Sequence, residues 1–236
     1  MLYYLGGFEA GHNYRIADLA CGNGLVGLEL EKRIQANGSN VQSTFIDLTP
    51  EGLAKIPKTQ NREIKIGDVR RTNSQTSEFT HTFCRYAIKN MPEHEQRKAL
   101  REIARITEKG GLFVLQDMVS PEGLKEFQNA ERMAKQRTTT PKVTPMNVPT
   151  EAEWIRLLNE AGFVVEDIQH TVSNVDTKNW VAEGQMTQKA LDQYFRFLKE
   201  AKQRWSHSWG EYKIIEEPGG NFKITYPVVL FKCRKK

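Results

Sequence analysis

Cysteine is scarce in this 236-residue chain. Cys21, Cys84 and Cys233 are odd in number and far apart. No C-x-x-C pair exists, so a structural zinc site is not expected, and a reducing, cytoplasmic compartment suits such a chain. No run approaches the roughly 18–20 apolar residues of a membrane span. The opening Met-Leu-Tyr-Tyr-Leu-Gly-Gly lacks the basic-then-apolar order of a secretory signal. Internal repeats and low-complexity tracts are missing too. The net charge of +5 and pI near 9.0 are not gathered into one basic block. That distribution reads as an ordinary solvated surface and does not call for a nucleic-acid partner.

What is present is alternation. Residues 16–20 read as a strand, followed by a glycine-rich turn and a helix with Val26, Leu30 and Ile34 on one side, closed by Asn37-Gly38. Further strands are expected at 41–48, at 65–67 preceded by Ile64, at 79–86 and at 112–116. A helix opened by Pro92, with Leu100, Ile103, Ala104 and Thr107 inward, is expected to stop at Gly110-Gly111. The continuous apolar run 112–116 suits a strand covered on both faces. Alternation of this kind predicts an α/β, doubly wound, Rossmann-like and mostly parallel sheet.

The second half departs from strict alternation. Ser120-Pro121 should start a helix carrying Leu124, Phe127 and Ala134, and 138–149 reads as a loop. Thr150 and Glu153 form a capping box ahead of Trp154, Leu157, Leu158 and Ala161. Gly162 ends that helix before a strand at 163–168. A helix over 187–205 and a last strand over 222–233 complete the chain. Pro227 favours an edge position or a bulge for that strand. Residues 15–118, 150–168 and 222–233 are then the core of one domain, and 119–149 and 169–221 are insertions. Trp180, Tyr194, Phe195, Phe197, Trp205 and Trp209 crowd the second insertion. They suit a satellite core or an apolar lid over a substrate.

The run Asp18-Leu19-Ala20-Cys21-Gly22-Asn23-Gly24 carries the most chemistry. Glycines between a strand and its helix let a ligand approach the backbone at the helix N-terminus. Gly22, Gly24 and Gly27 also fit the dinucleotide fingerprint G-x-G-x-x-G. Against that reading, Ala20-Cys21 precede the first glycine, and Asp18 sits where it would repel a pyrophosphate. A ligand bearing an amino group and a sulfonium fits Asp18 better. Asp47, 23 residues past Gly24 at the end of the second strand, can accept from both hydroxyls of a ribose. Asp68 follows the third strand and can accept from an adenine amine. Singly, Asp47 could cap a loop and Asp68 a turn; together the three acids are more specific.

The stretch 17–24 resembles the first motif of class I S-adenosylmethionine-dependent methyltransferases, with Ala20 where glycine is more usual. Phe45-Ile46-Asp47-Leu48 resembles that family's ribose-binding segment, and Gly67-Asp68-Val69 its adenine-binding one. The segments 86–91 and 100–111 are similar to the ubiquinone/menaquinone C-methyltransferase branch. The resemblance implies a seven-stranded sheet with an antiparallel last strand and S-adenosylmethionine as cofactor, with S-adenosylhomocysteine as product. It places the methionyl part on Ala20, Cys21, Gly22, Asn23 and Gly24 with Asp18 near its ammonium. Asp47 and Leu48 then meet the ribose, and Asp68 and Val69 the adenine. Arg85 stands beside the sulfonium and the entering acceptor. The family usually carries more chain ahead of the first strand than the 15 or so residues here, so a lid from that segment is reduced, supplied elsewhere, or on chain outside this sequence.

Methyl transfer from a sulfonium needs positioning and exclusion of water more than side-chain chemistry. A base is required only for a protonated nucleophile. His81, Tyr86 and His94 are the candidates for one, and packing or solvation explains each as well, so none is named catalytic. Asp117 without partners makes a metal improbable. The expected acceptor is a small molecule, quinone-like or another metabolite. An RNA substrate, a nicotinamide-dependent oxidoreductase and a non-catalytic S-adenosylmethionine-binding protein are the alternatives. The sequence sets no oligomeric state.

Overall fold

The computed structural model describes residues 8–139, 145–178, 186–205 and 211–236. Its sheet begins as the alternation predicts. Strands β1 (Asn13–Leu19), β2 (Asn40–Asp47), β3 (Arg62–Ile66), β4 (Phe79–Arg85) and β5 (Thr107–Met118) are interleaved with helices α1 (Leu25–Ala36), α2 (Pro50–Leu53) and α3 (Glu93–Ile106). Then come α4 (Lys125–Thr139), α5 (Glu151–Glu160), β6 (Phe163–Asp176), α6 (Gln188–Trp205), β7 (Lys213–Glu216) and β8 (Phe222–Lys235). The strand order is β3-β2-β1-β4-β5-β8-β6, with β7 also paired to β8. Pairings among β1 to β5 are parallel, and β8 runs against β5, β6 and β7. The sheet is therefore Rossmann-like with an antiparallel last strand, and among the described residues it has eight strands where seven were expected.

The core follows from the patterning. Leu100, Ile103 and Ala104 of α3 and Trp154, Leu157 and Leu158 of α5 bury against Phe113, Leu115 and Phe231. Leu30 and Ile34 of α1 cover the opposite face with Ile16 and Val114. The Thr150 capping box forms: its Oγ1 accepts from Glu153 N–H at 3.3 Å, and the Glu153 carboxylate accepts from Thr150 N–H at 2.9 Å.

Four expectations need correction. Gly110-Gly111 do not stop α3, which already ends at Ile106. They sit in a bulge of β5, between the Phe79–Thr107 and His81–Leu112 pairings. Gly110 has φ +76° there, and a Cβ on Gly111 would lie 2.9 Å from the Thr80 carbonyl. Helix α4 starts at Lys125, because Ser120-Pro121 enter a turn instead. It also continues to Thr139, so the first residues of the expected 138–149 loop are helical. Pro227 lies inside the sheet rather than at an edge. One side of β8 pairs with β5 through Val228 and with β7 from Thr225 backwards. Pro227 falls in the gap between them, where its missing N–H leaves no ladder bond unmade; its carbonyl accepts from Val119 N–H at 3.1 Å.

Beyond Met118, β6, β8 and β7 continue as an antiparallel extension past the carboxyl end of β5. A second core gathers on it. Phe127 of α4, Leu191, Tyr194 and Leu198 of α6, and Tyr212, Phe222 and Tyr226 are buried together. Phe195 and Phe197 pack against this cluster. Trp180 and Trp209 fall outside the described residues, as does the side chain of Trp205.

Candidate active site

The chain reverses its direction of winding between β1 and β4, and at such a switch point loops part to leave a crevice at the carboxyl ends. A cleft of ≈ 700 Å³ lies there. It is lined by Ala20, Asp47, Leu48, Gly67, Val69 and Arg70, and across from them by Arg85, Tyr86, Ala87, Asn90, Met91, Pro92, His94 and Glu95.

The β1–α1 turn is built for close approach. Gly22 and Gly24 have φ +55° and +74°, and Ala20 adopts φ +55° without being glycine. A Cβ on Gly22 would meet nothing within 4 Å, so its outer side is open. Gly27 is fixed by packing. A Cβ there would lie 2.4 Å from the Phe45 ring and 3.0 Å from the Asp18 carboxylate. That absence lets Asp18 accept from Gly27 N–H at 3.0 Å.

Asp18 is 5% exposed. Burial pushes its carboxyl up to about 7, the Gly27 hydrogen bond and the charge of Arg85 only partly opposing this. Its side chain is directed at α1 rather than into the cleft. Asp47 holds the turn from the other side. It accepts from Gly22 N–H at 2.8 Å, and from Thr49 N–H at 2.9 Å and Thr49 Oγ1 at 2.7 Å. Burial raises Asp47, but these bonds and one from Leu48 N–H outweigh it and hold the carboxyl below its ordinary value. Both Thr49 bonds fall on Oδ1 and the Gly22 bond on Oδ2, so the uncommitted lone pair is on Oδ2. Leu48 beside it is 58% exposed at the rim.

Asp68 is engaged by Arg70. The guanidinium Nε lies 2.9 Å from both carboxylate oxygens, Nη2 adds a further bond, and Arg70 also reaches Glu95 at 2.8 Å. Arg70 thereby holds Asp68 below the usual carboxylate range. Asp68 itself does not line the cleft; its neighbours Gly67, Val69 and Arg70 do. Cys21 and Asn23 lie in the turn, and Cys21 donates its N–H to Ile46 at 3.1 Å. Burial pushes the Cys21 thiol up, so it is no thiolate.

Of the three base candidates, His81 is remote. It packs on Phe8 and Tyr14 near the start of β1, at ring separations of 5.5 and 5.3 Å. Burial and Arg234 lower it to about 4. Tyr86 and His94 do line the cleft. Tyr86 has φ +56°, and the Arg85 and Lys89 cations lie 5.6 and 5.1 Å from its ring centre. Asp117 is fully buried and pairs with Lys89, Oδ1 to Nζ at 3.3 Å. Among the described residues no three His, Cys, Asp or Glu side chains converge as a metal site, and no helix is long and apolar enough to cross a membrane.

Arg70, Asn90 and Glu95 went unnoticed in the sequence. The 86–91 segment carried a family-like signal, whereas the Arg70–Glu95 contact joins residues with no local pattern between them.

Residues 16–111 match the family model described as a methyltransferase domain. The chain has a class I methyltransferase fold. A methyltransferase-assigned protein of Bacillus halodurans superposes with TM-score 0.78 at 21% identity, over 99% of this chain and 97% of that one. Geranyl diphosphate C-methyltransferase of Streptomyces coelicolor, solved with Mg2+, geranyl diphosphate and S-adenosyl-L-homocysteine, gives TM-score 0.58 at 13% identity, over 100% of this chain and 76% of that one. In sequence, the ubiquinone/menaquinone biosynthesis C-methyltransferase of Rickettsia bellii is 28% identical over 109 residues. That match spans 43% of this methyltransferase-fold chain and 43% of its relative, less than half of either.

Proposed function

We propose that this chain transfers a methyl group from S-adenosylmethionine to a small-molecule acceptor, quinone-like or another metabolite, in the cytoplasm. The observation that carries the reading is the convergence at the switch-point cleft of an open glycine turn, the Asp47 carboxylate and an exposed leucine. The chemistry of this set fits the group. Gly22 offers backbone without a Cβ in the way. Asp47 would accept one ribose hydroxyl on Oδ2 and a second by sharing Oδ1 with Thr49, and Leu48, Val69 and Met91 offer apolar surface to a purine. Asp68 would accept the adenine amine only by sharing its carboxylate with Arg70. Asp18, bonded to Gly27 N–H just past the turn, supplies negative charge for an ammonium once that ligand favours its carboxylate form.

When bound, the sulfonium provides the activated methyl carbon. The protein's part is to orient the acceptor between Arg85, Tyr86 and Asn90 and to keep water out. We read the chain as one domain in which segments 119–149 and 169–221 cover the cleft. The three cysteines are unpaired, which suits a reducing compartment.

Thermal unfolding tests the cofactor. Ligand at roughly 100 times its Kd adds about 2.7 kcal/mol of stability. S-adenosylmethionine and S-adenosylhomocysteine should each raise Tm, NAD and NADP should not, and Asp47→Ala should abolish most of the rise. Stabilisation by a nicotinamide nucleotide alone would overturn the reading.

A further inference from the structure

The Asp68 carboxylate is saturated by a single neighbour. Oδ1 accepts from the Arg70 backbone N–H at 2.8 Å and from Arg70 Nε at 2.9 Å, while Oδ2 accepts from Nε at 2.9 Å and from Nη2. A carboxylate has about four acceptor positions, so none is left over for a ligand. Arg70 lines the cleft, and Asp68 does not. For a ligand to reach Asp68, Arg70 must give up that pair together with its bond from Nη1 to Glu95 Oε2 at 2.8 Å. Both are charge-assisted, the stronger kind of hydrogen bond.

Glu95 completes the wall from the first turn of α3, and it lines the cleft as well. Its Oε1 accepts from Lys98 Nζ at 2.6 Å and has His94 Nε2 at 3.2 Å. Its Oε2 accepts from Arg70 alone, so that oxygen keeps an acceptor position. Lys98 and then Arg70 hold the carboxyl below its ordinary value, which keeps it ionised at neutral pH. Arg70 spends one N–H on each of Nε, Nη1 and Nη2, and each Nη keeps a second. A spare donor and a spare acceptor thus stand next to each other on the cleft wall.

Their place suits a base. A ligand with its ammonium end at the β1 turn and its ribose at Asp47 runs across the strand order β3-β2-β1. Adjacent strands are about 4.8 Å apart, so the base falls beyond Asp47, at the end of β3, where Gly67, Val69 and Arg70 line the cleft. Adenine carries an amine donor beside a ring-nitrogen acceptor, the complement of Glu95 and Arg70. A 6-oxopurine would set its oxygen against the Glu95 carboxylate.

We propose that the Arg70–Glu95 pair, and not Asp68, selects the base. Glu95 accepts from the amine of a 6-aminopurine, and Arg70 donates to the ring nitrogen beside it. Asp68 is a positioning residue that holds Arg70 in place. This rests on the cofactor reading above and deepens it.

The test measures S-adenosylhomocysteine and S-inosylhomocysteine, which differ only in the base, by calorimetry on the full chain. The wild type should favour the adenosyl compound by roughly tenfold or more. Glu95→Ala should bring that ratio close to unity. Asp68→Asn, which keeps an oxygen for the Arg70 N–H, should leave it unchanged. A substitution that merely loosens the fold weakens both ligands alike, so the ratio is the readout and not either affinity. Glu95→Gln, whose amide can also donate to a 6-oxo group, should lower the ratio several-fold and decides the matter if Glu95→Ala does not fold. A ratio lost in Asp68→Asn, or kept in the Glu95 variants, would return the base to Asp68 and overturn the proposal. Binding of both compounds to the wild type without preference overturns it alone, whereas no binding of either sinks the cofactor reading and the proposal with it.

Discussion

At the residue scale, Asp18 has the most to say, because a single missing Cβ at Gly27 decides its surroundings. Its folded-state pKa near 7 lies above the ordinary 3.8. The folded chain therefore holds a proton that the unfolded chain has released between about pH 4 and 7. Stability contributed by the neutral acid is complete below pH 4, is lost as pH rises through that window, and is gone above 7. Asp18→Asn keeps an oxygen for Gly27 N–H and cannot titrate. It should match the wild type near pH 4 and exceed its stability at pH 8 by a few kcal/mol. Parallel stability profiles of the two proteins from pH 4 to 8 would show that Asp18 does not hold that proton. An ammonium ligand acts in the other direction by favouring the carboxylate. Affinity for S-adenosylmethionine should rise with pH through 7, whereas methylthioadenosine, which lacks the ammonium, should bind with no such slope.

At the element scale, the legible parts were those whose signal is local. The five parallel strands, α1, α3 and the Thr150 cap follow from periodicity and turn chemistry within a few residues. The Asp18–Asp47 pair was legible because both acids end adjacent strands. Elements defined by distant partners were not. Strand β7 is four residues long and exists because β8 offers it an edge once Pro227 has passed beyond β5. The apolar stripe Leu124, Phe127 and Ala134 was visible in α4, but nothing in the sequence says that Gln128 and Glu131 of the same helix are buried as well. Helix α2 is a similar case. Its Gly52 has the Gly22 carbonyl 2.5 Å from where a Cβ would stand, so this one-turn helix presses directly on the glycine turn. Gly52→Ala should lower stability by about 1–3 kcal/mol and weaken S-adenosylhomocysteine more than a peripheral change of equal stability cost, such as Thr150→Ala. Equal weakening by both would mean that α2 does not shape the turn.

At the scale of the molecule, two cores meet along β8. The first is shared by the parallel sheet, α3 and α5, and the second by α4, α6, β7 and the extension. Limited proteolysis should separate their behaviour. Cleavage within 119–149 and 169–215 should slow when S-adenosylhomocysteine is present, and cleavage indifferent to the ligand would argue that these segments do not cover the cleft. The position of β8 has a consequence for synthesis. It is made after both of its long neighbours, yet it alone joins β5 to β6. A chain emerging from the ribosome can assemble β1 to β5 early, because every pairing there links strands already made. Strand β6 must wait through some 45 residues with a fourteen-residue edge unpaired, the kind of edge that invites wrong partners. Nascent chains stalled before β8 should be the ones that chaperones hold, and the antiparallel extension with its own core is then the last part to take shape.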